Sequence, residues 1–105
     1  MSAKDFILGL PEKVNSAAIE GHNTRFHFEI EGEGGGEFTV AIDEGDISAA
    51  EGLEGEPSCK VKAKSEHLMA VLKGDMNPMT AVFTGKLKIS NPGEMMKYAK
   101  IFGLM

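Results

Sequence analysis

The sequence predicts an α+β fold in which five strands form one mostly antiparallel sheet and the helices collect on one of its faces. Three observations carry this expectation. Apolar and polar residues alternate on both sides of a glycine-rich turn between residues 24 and 43, the pattern of a half-buried hairpin. The same alternation returns at 59–64 and 86–89, now with lysine at every polar position. Segments opening at Ser65, Asn77 and Asn91 carry helix start signals, and two of these have proline in the first helical position.

Taken in order, the chain opens with Ser2 placed to cap a short helix, Asp5 in its first turn and Phe6, Ile7 and Leu10 as its apolar side; Pro11 interrupts or restarts it. A further helical turn is expected from Asn15 or Ser16 through Ile19, ending at Gly21. From Thr24 the period changes to two. Phe26, Phe28 and Ile30 share one face of a strand, and Arg25, His27, Glu29 and Glu31 the other. After the turn at 32–36, Phe38, Val40 and Ile42 repeat that pattern against Glu37, Thr39, Ala41 and Asp43. A turn at 44–46 leads to a shorter third strand at 47–50 whose facing the pattern leaves open, and 51–58, with two glycines and a proline, is a loop.

Cys59, Val61 and Ala63 then point inward and Lys60, Lys62 and Lys64 outward. Ser65 is expected to cap a helix carrying Leu68, Met69, Val71 and Leu72, ended by Gly74. At once a second short helix follows, capped by Asn77, begun by Pro78 and closed by Gly85, feeding a fifth strand with Leu87 and Ile89 inward and Lys86 and Lys88 outward. Finally Asn91-Pro92-Gly93-Glu94 opens a helix bearing Met95, Met96, Ala99, Ile101 and Phe102, with Gly103 at its end.

A chain of 105 residues with 42% hydrophobic content is expected to be one domain, residues 1–105, with a single core. One cysteine, Cys59, excludes an internal disulfide, and its inward position makes it a small hydrophobe rather than a nucleophile. The apolar run at 6–10 is too short for a signal-peptide core or a membrane span, so a cytoplasmic protein is expected. The net charge of −5 is uneven: residues 1–58 hold three basic and thirteen acidic side chains, residues 59–105 eight and three. The acidic balance opposes nucleic-acid binding, while the basic half suits anionic lipid head groups, where each lysine contributes on the order of 1 kcal/mol.

Motifs for chemistry are absent from the sequence pattern. The glycine run at 32–36 leads into a strand and not a helix, so it is a hairpin turn rather than a phosphate cradle. His22, His27 and His67 stand at no metal-ligating spacing, and Asp43, Glu44 and Asp46 lack the order of a calcium loop. No metal or cofactor is expected. Seven methionines, five of them on or beside the three later helices, suit either an adaptable apolar pocket or an ordinary core.

Three stretches resemble the sterol carrier protein type 2 family: Arg25-Phe26-His27-Phe28-Glu29-Ile30 with its glycine hairpin, Lys64-Ser65-Glu66-His67-Leu68, and the run from Asn77-Pro78-Met79-Thr80-Ala81-Val82-Phe83-Thr84-Gly85 into Lys86-Leu87-Lys88-Ile89. The last is the most specific. The resemblance extends over nearly the whole chain and implies an apolar tunnel enclosed between sheet and helices, which takes sterols, fatty acyl chains, acyl-CoA or phospholipids without changing them. It nominates Phe26, Phe28, Phe38, Val40, Leu68, Val71, Leu72, Met76, Met79, Val82, Phe83, Leu87 and Ile89 to line the tunnel, with Met95, Met96, Ala99 and Phe102 covering it. Phe38 stands where relatives often carry tryptophan. The terminal Phe102-Gly103-Leu104-Met105 differs from the peroxisomal address of some eukaryotic relatives and favours a short bacterial-type cytoplasmic member.

The function implied is non-catalytic lipid binding and transfer. In the mechanism that follows, the terminal helix swings aside at an anionic membrane, steered by Lys86, Lys88, Lys97 and Lys100. Two alternatives stand beside it: a module presenting substrate to a lipid-metabolising enzyme, and a small protein-interaction domain with a filled core.

Overall fold

The structure, a computed structural model, describes residues 2–103. The features read from Met1, Leu104 and Met105, including the comparison of the terminus with a peroxisomal address, lie outside the described residues.

Five strands form one mixed sheet in the order β3-β2-β1-β4-β5: β1 (Thr24–Glu31), β2 (Gly36–Asp43), β3 (Asp46–Glu51), β4 (Cys59–Lys64) and β5 (Leu87–Ile89). Three of the pairings are antiparallel and β1 with β4 is parallel. The register aligns the apolar positions: Phe28 faces Phe38 on β2 and Val61 on β4, and Val61 faces Ile89 on β5. The third strand, whose facing the pattern left open, turns Ile47 and Ala49 toward the core as a half-buried edge.

The parallel pair requires a crossover, because β3 is at one edge while β4 lies beyond β1. Residues 52–58 make it across the outer face, over β2 and β1, a span of three strand spacings or about 14 Å. Two cross-strand partners hold this loop down. Thr39 Oγ1 donates to the Gly52 carbonyl at 2.8 Å and accepts from the Glu54 amide at 2.9 Å, and His27 Nε2 donates to the Glu54 carbonyl at 2.8 Å. His27 and Thr39 are therefore buried on the face that the alternation marked as outward.

All the helices lie over the inner face. Helix α1 (Ala3–Leu8), α2 (Leu10–Lys13) and a 3-10 turn at Ser16–Ile19 cover β2 and β3, while α3 (Ser65–Leu72), α4 (Pro78–Phe83) and α5 (Pro92–Ala99) cover β4 and β5. The caps are mostly those expected. Ser2 and Asp5 form a reciprocal capping box, Asn77 Oδ1 accepts the Met79 amide at 2.8 Å, and Asn91 Oδ1 accepts that of Glu94 at 3.2 Å. Ser65 departs from expectation: it is the first helical residue, buried, and its side chain makes no capping bond because Lys64 occupies the cap position. The last helix ends at Ala99, so Ile101 and Phe102 belong to the turn beyond it.

Candidate functional site

Period-two alternation on the strands and i, i+3 or i, i+4 spacing on the helices bring twelve side chains around one slit. Phe28, Val61, Leu87 and Ile89 form its floor, Leu68 and Val71 of α3 one wall, Pro78, Met79 and Val82 of α4 another, and Met95, Met96 and Ala99 of α5 the third. Every lining residue is apolar, with no nucleophile or general base among them.

The slit is narrow. Its volume is about 40 Å³, far below the ~300–1,000 Å³ of ordinary ligand pockets. In place of an open tunnel the molecule holds a narrow apolar seam.

Ten of the residues nominated from the sequence line this seam: Phe28, Leu68, Val71, Met79, Val82, Leu87, Ile89, Met95, Met96 and Ala99. Seven do not. Phe26, Phe38, Val40 and Phe102 are consumed by the core, where Phe26 stacks on Phe28 and meets Phe102 edge-on with centroids 5.3 Å apart. Leu72 and Met76 pack half-buried against the core without lining the seam, and Phe83 points to solvent, 85% exposed. Val61 and Pro78 complete the lining and were not nominated, although the inward alternation of β4 marks Val61.

The walls formed by α4 and α5 differ in how they are held. On α5, Glu94 accepts from the Thr24 hydroxyl at 2.6 Å, the Tyr98 hydroxyl lies 2.9 Å from His22 Nδ1, and the Tyr98 ring stands edge-on to Phe26. Helix α4 has six residues and buries only Ala81, between Gly74 and Gly85, whose φ values of +82° and +78° only glycine adopts freely. The tightly bonded wall is α5. The lightly held one is α4.

Charges lie outside the seam. Lys62 directly faces Lys88 across β4 and β5 on the outer sheet face, where like charges repel. Lys62 and Lys64 are opposed on the other side by Glu29 and Glu31, whereas Lys86 and Lys88 make no ion pair among the described residues. Lys97 pairs with Glu94 at 3.5 Å on α5. The four lysines expected to act together thus divide between two layers. Cys59 is buried, its Sγ donating to the Asn91 carbonyl at 3.6 Å, and burial pushes the thiol above its ordinary range. Among the described residues no group of His, Cys, Asp and Glu is arranged to hold a metal.

Residues 5–105 match the profile of the SCP-2 sterol transfer family. The chain belongs to that family. Sterol carrier protein 2 of Gallus gallus is 42% identical over 76 residues, which are 69% of this chain and 14% of that protein. The chain thus spans about one seventh of the length of this curated relative. The SCP-2 fold extends to distant structures. A palmitated SCP2L2 from Aedes aegypti superposes with a TM-score of 0.72 at 18% identity, covering 97% of this chain and 95% of that one. A stereoselective inverting sec-alkylsulfatase from Pseudomonas sp. carries the same fold as 16% of its length, matching all of this chain with a TM-score of 0.78 at 18% identity. No helix among the described residues is long and apolar enough to cross a membrane.

Proposed function

We propose that this SCP-2 chain is a non-catalytic carrier that takes the apolar chain of a lipid into the seam between the sheet and α3, α4 and α5. The carrying observation is the seam itself: twelve apolar residues from six elements converge on it, and no side chain suited to bond-making chemistry reaches it. Met79, Met95 and Met96 supply walls that reshape at little cost because the thioether chain has several accessible rotamers. A lipid buries about 0.8 kcal/mol per methylene, which offsets the cost of prising the walls apart.

The bonding of the walls relocates the opening step. Because α5 is anchored through Glu94 and Tyr98, α4 is the element that lifts, turning about Gly74 and Gly85. Residues 1–105 act as one lipid-binding domain. Native mass spectrometry of freshly purified protein tests the carrier function: a mass excess resolving into fatty acid or phospholipid is expected. A chain that stays bare after incubation with palmitate, palmitoyl-CoA and cholesterol would leave the filled-core interaction domain as the better account.

One observation favours a second role, presentation of a lipid substrate to an enzyme: the fold occurs as a small part of the alkylsulfatase. Faster turnover of chain-bound than of free palmitoyl-CoA by a lipid-metabolising enzyme would support that role.

A further inference from the structure

We propose that Met79, Phe83 and Met96 form a bilayer-docking surface at the mouth of the seam, with Phe83 as the side chain that enters the lipid layer. The docking step builds on the carrier function proposed above. Among the described residues only four large apolar side chains are exposed, and three of them are these, at 46%, 85% and 49%; the fourth, Leu53, lies on the crossover loop. Isolated exposed apolar residues are ordinary, but a concentration around one opening marks an interaction surface.

Local structure explains the grouping. Met79 and Phe83 stand four residues apart on α4 and so share a face, and Met79 and Met96 also line the seam. The exposed patch therefore continues into the apolar interior. A lipid leaving a bilayer against this patch would pass from one apolar medium to the other without crossing water.

Charge selects a membrane with anionic head groups as the occupant. Residues 73–103 contain five lysines and two carboxylates, and Glu94 is already engaged by Thr24 and Lys97. Lys86 follows Phe83 by three residues and makes no ion pair among the described residues. An apolar anchor carried on a lysine-rich segment suits the boundary between anionic head groups and acyl chains. Docking at Phe83 would also pull on α4, the lightly held wall.

The chain contains no tryptophan, so Phe83→Trp provides a single fluorescent reporter at the proposed anchor. Vesicles of phosphatidylcholine and phosphatidylserine in equal parts are expected to shift its emission to the blue, with quenching by lipids brominated along the acyl chain and weakening in high salt. Phe83→Ala is expected to partition about tenfold less to the same vesicles. Palmitate loading measured in parallel by native mass spectrometry separates the two hypotheses: insertion without loading would keep docking and overturn the carrier function. Emission unchanged by vesicles would overturn docking. So would a blue shift produced by palmitate alone, which would place Phe83 on the ligand, or one that grows with protein concentration alone, which would assign the patch to self-association.

Discussion

Ala99→Val on α5 tests whether the seam is a ligand path or merely an imperfection in packing. Ala99 is buried and its side chain borders the seam, so two added methyl groups enter a space of about 40 Å³. Filling that volume is worth about 1 kcal/mol at ~24 cal/mol per Å³. Transfer of two carbons at ~0.8 kcal/mol each, less about 0.5 kcal/mol for the poorer helix propensity of valine, leads to a similar figure. The ligand-free variant should therefore be more stable by about 1 kcal/mol in urea titration, near 4 °C in melting temperature. Palmitate should respond in the opposite sense. If the added methyls exclude two of its methylenes, affinity falls by about 1.6 kcal/mol, roughly 15-fold. Ala99→Gly should lose stability and keep palmitate. A valine variant that is less stable yet binds palmitate as wild type would refute the assignment of the seam as the ligand path.

Three further outcomes follow from geometry elsewhere in the chain. Gly55 has a φ of +69° and packs its backbone against the Arg25 guanidinium under the crossover, so Gly55→Ala should cost about 1–2 kcal/mol in chemical denaturation; an unchanged midpoint would mean that the crossover does not contribute to stability. Tyr98→Phe removes the hydrogen bond to His22 and should cost about 1 kcal/mol, while an equal loss in Tyr98→Phe and Tyr98→Leu would assign the effect to the hydroxyl alone. Burial holds the Cys59 thiol protonated above its ordinary value of 9.0, and burial followed by the nearby Glu94 charge does the same for Tyr98 above 10.0. Because the folded values exceed the unfolded ones, this stabilisation is complete below pH 9 and is lost as pH rises through the folded values. Cys59→Ala should flatten the alkaline part of the stability profile, and an identical profile in that variant would remove the thiol from the account.

The strands, turns and capped helices were legible in the sequence because each depends on neighbours within a few residues. Thr24 to Glu31 alternates because one sheet face is buried, and Asn77-Pro78 announces a helix because a capping oxygen and a missing amide both suit its first turn. Family resemblance added most of the seam's lining. It also nominated Phe26, Phe38 and Phe102, since an inward-facing apolar residue has the same sequence signature whether it fills a core or borders an opening.

What the sequence by itself determined is therefore the type of each main element, the facing of β1, β2, β4 and β5 but not of β3, the absence of a second cysteine, and the division of charge between the two parts of the chain. The tertiary structure decided which elements became neighbours. Placing β4 parallel beside β1 sends the crossover over His27 and Thr39, burying two residues whose alternation pointed to solvent. Packing α5 on β1 joins Tyr98 to His22 across 76 positions, and leaves α4 with one buried residue and Phe83 in water. Periodicity specifies a side chain's direction relative to its own backbone; the group it meets, and whether a gap remains between them, depends on volumes contributed by distant segments.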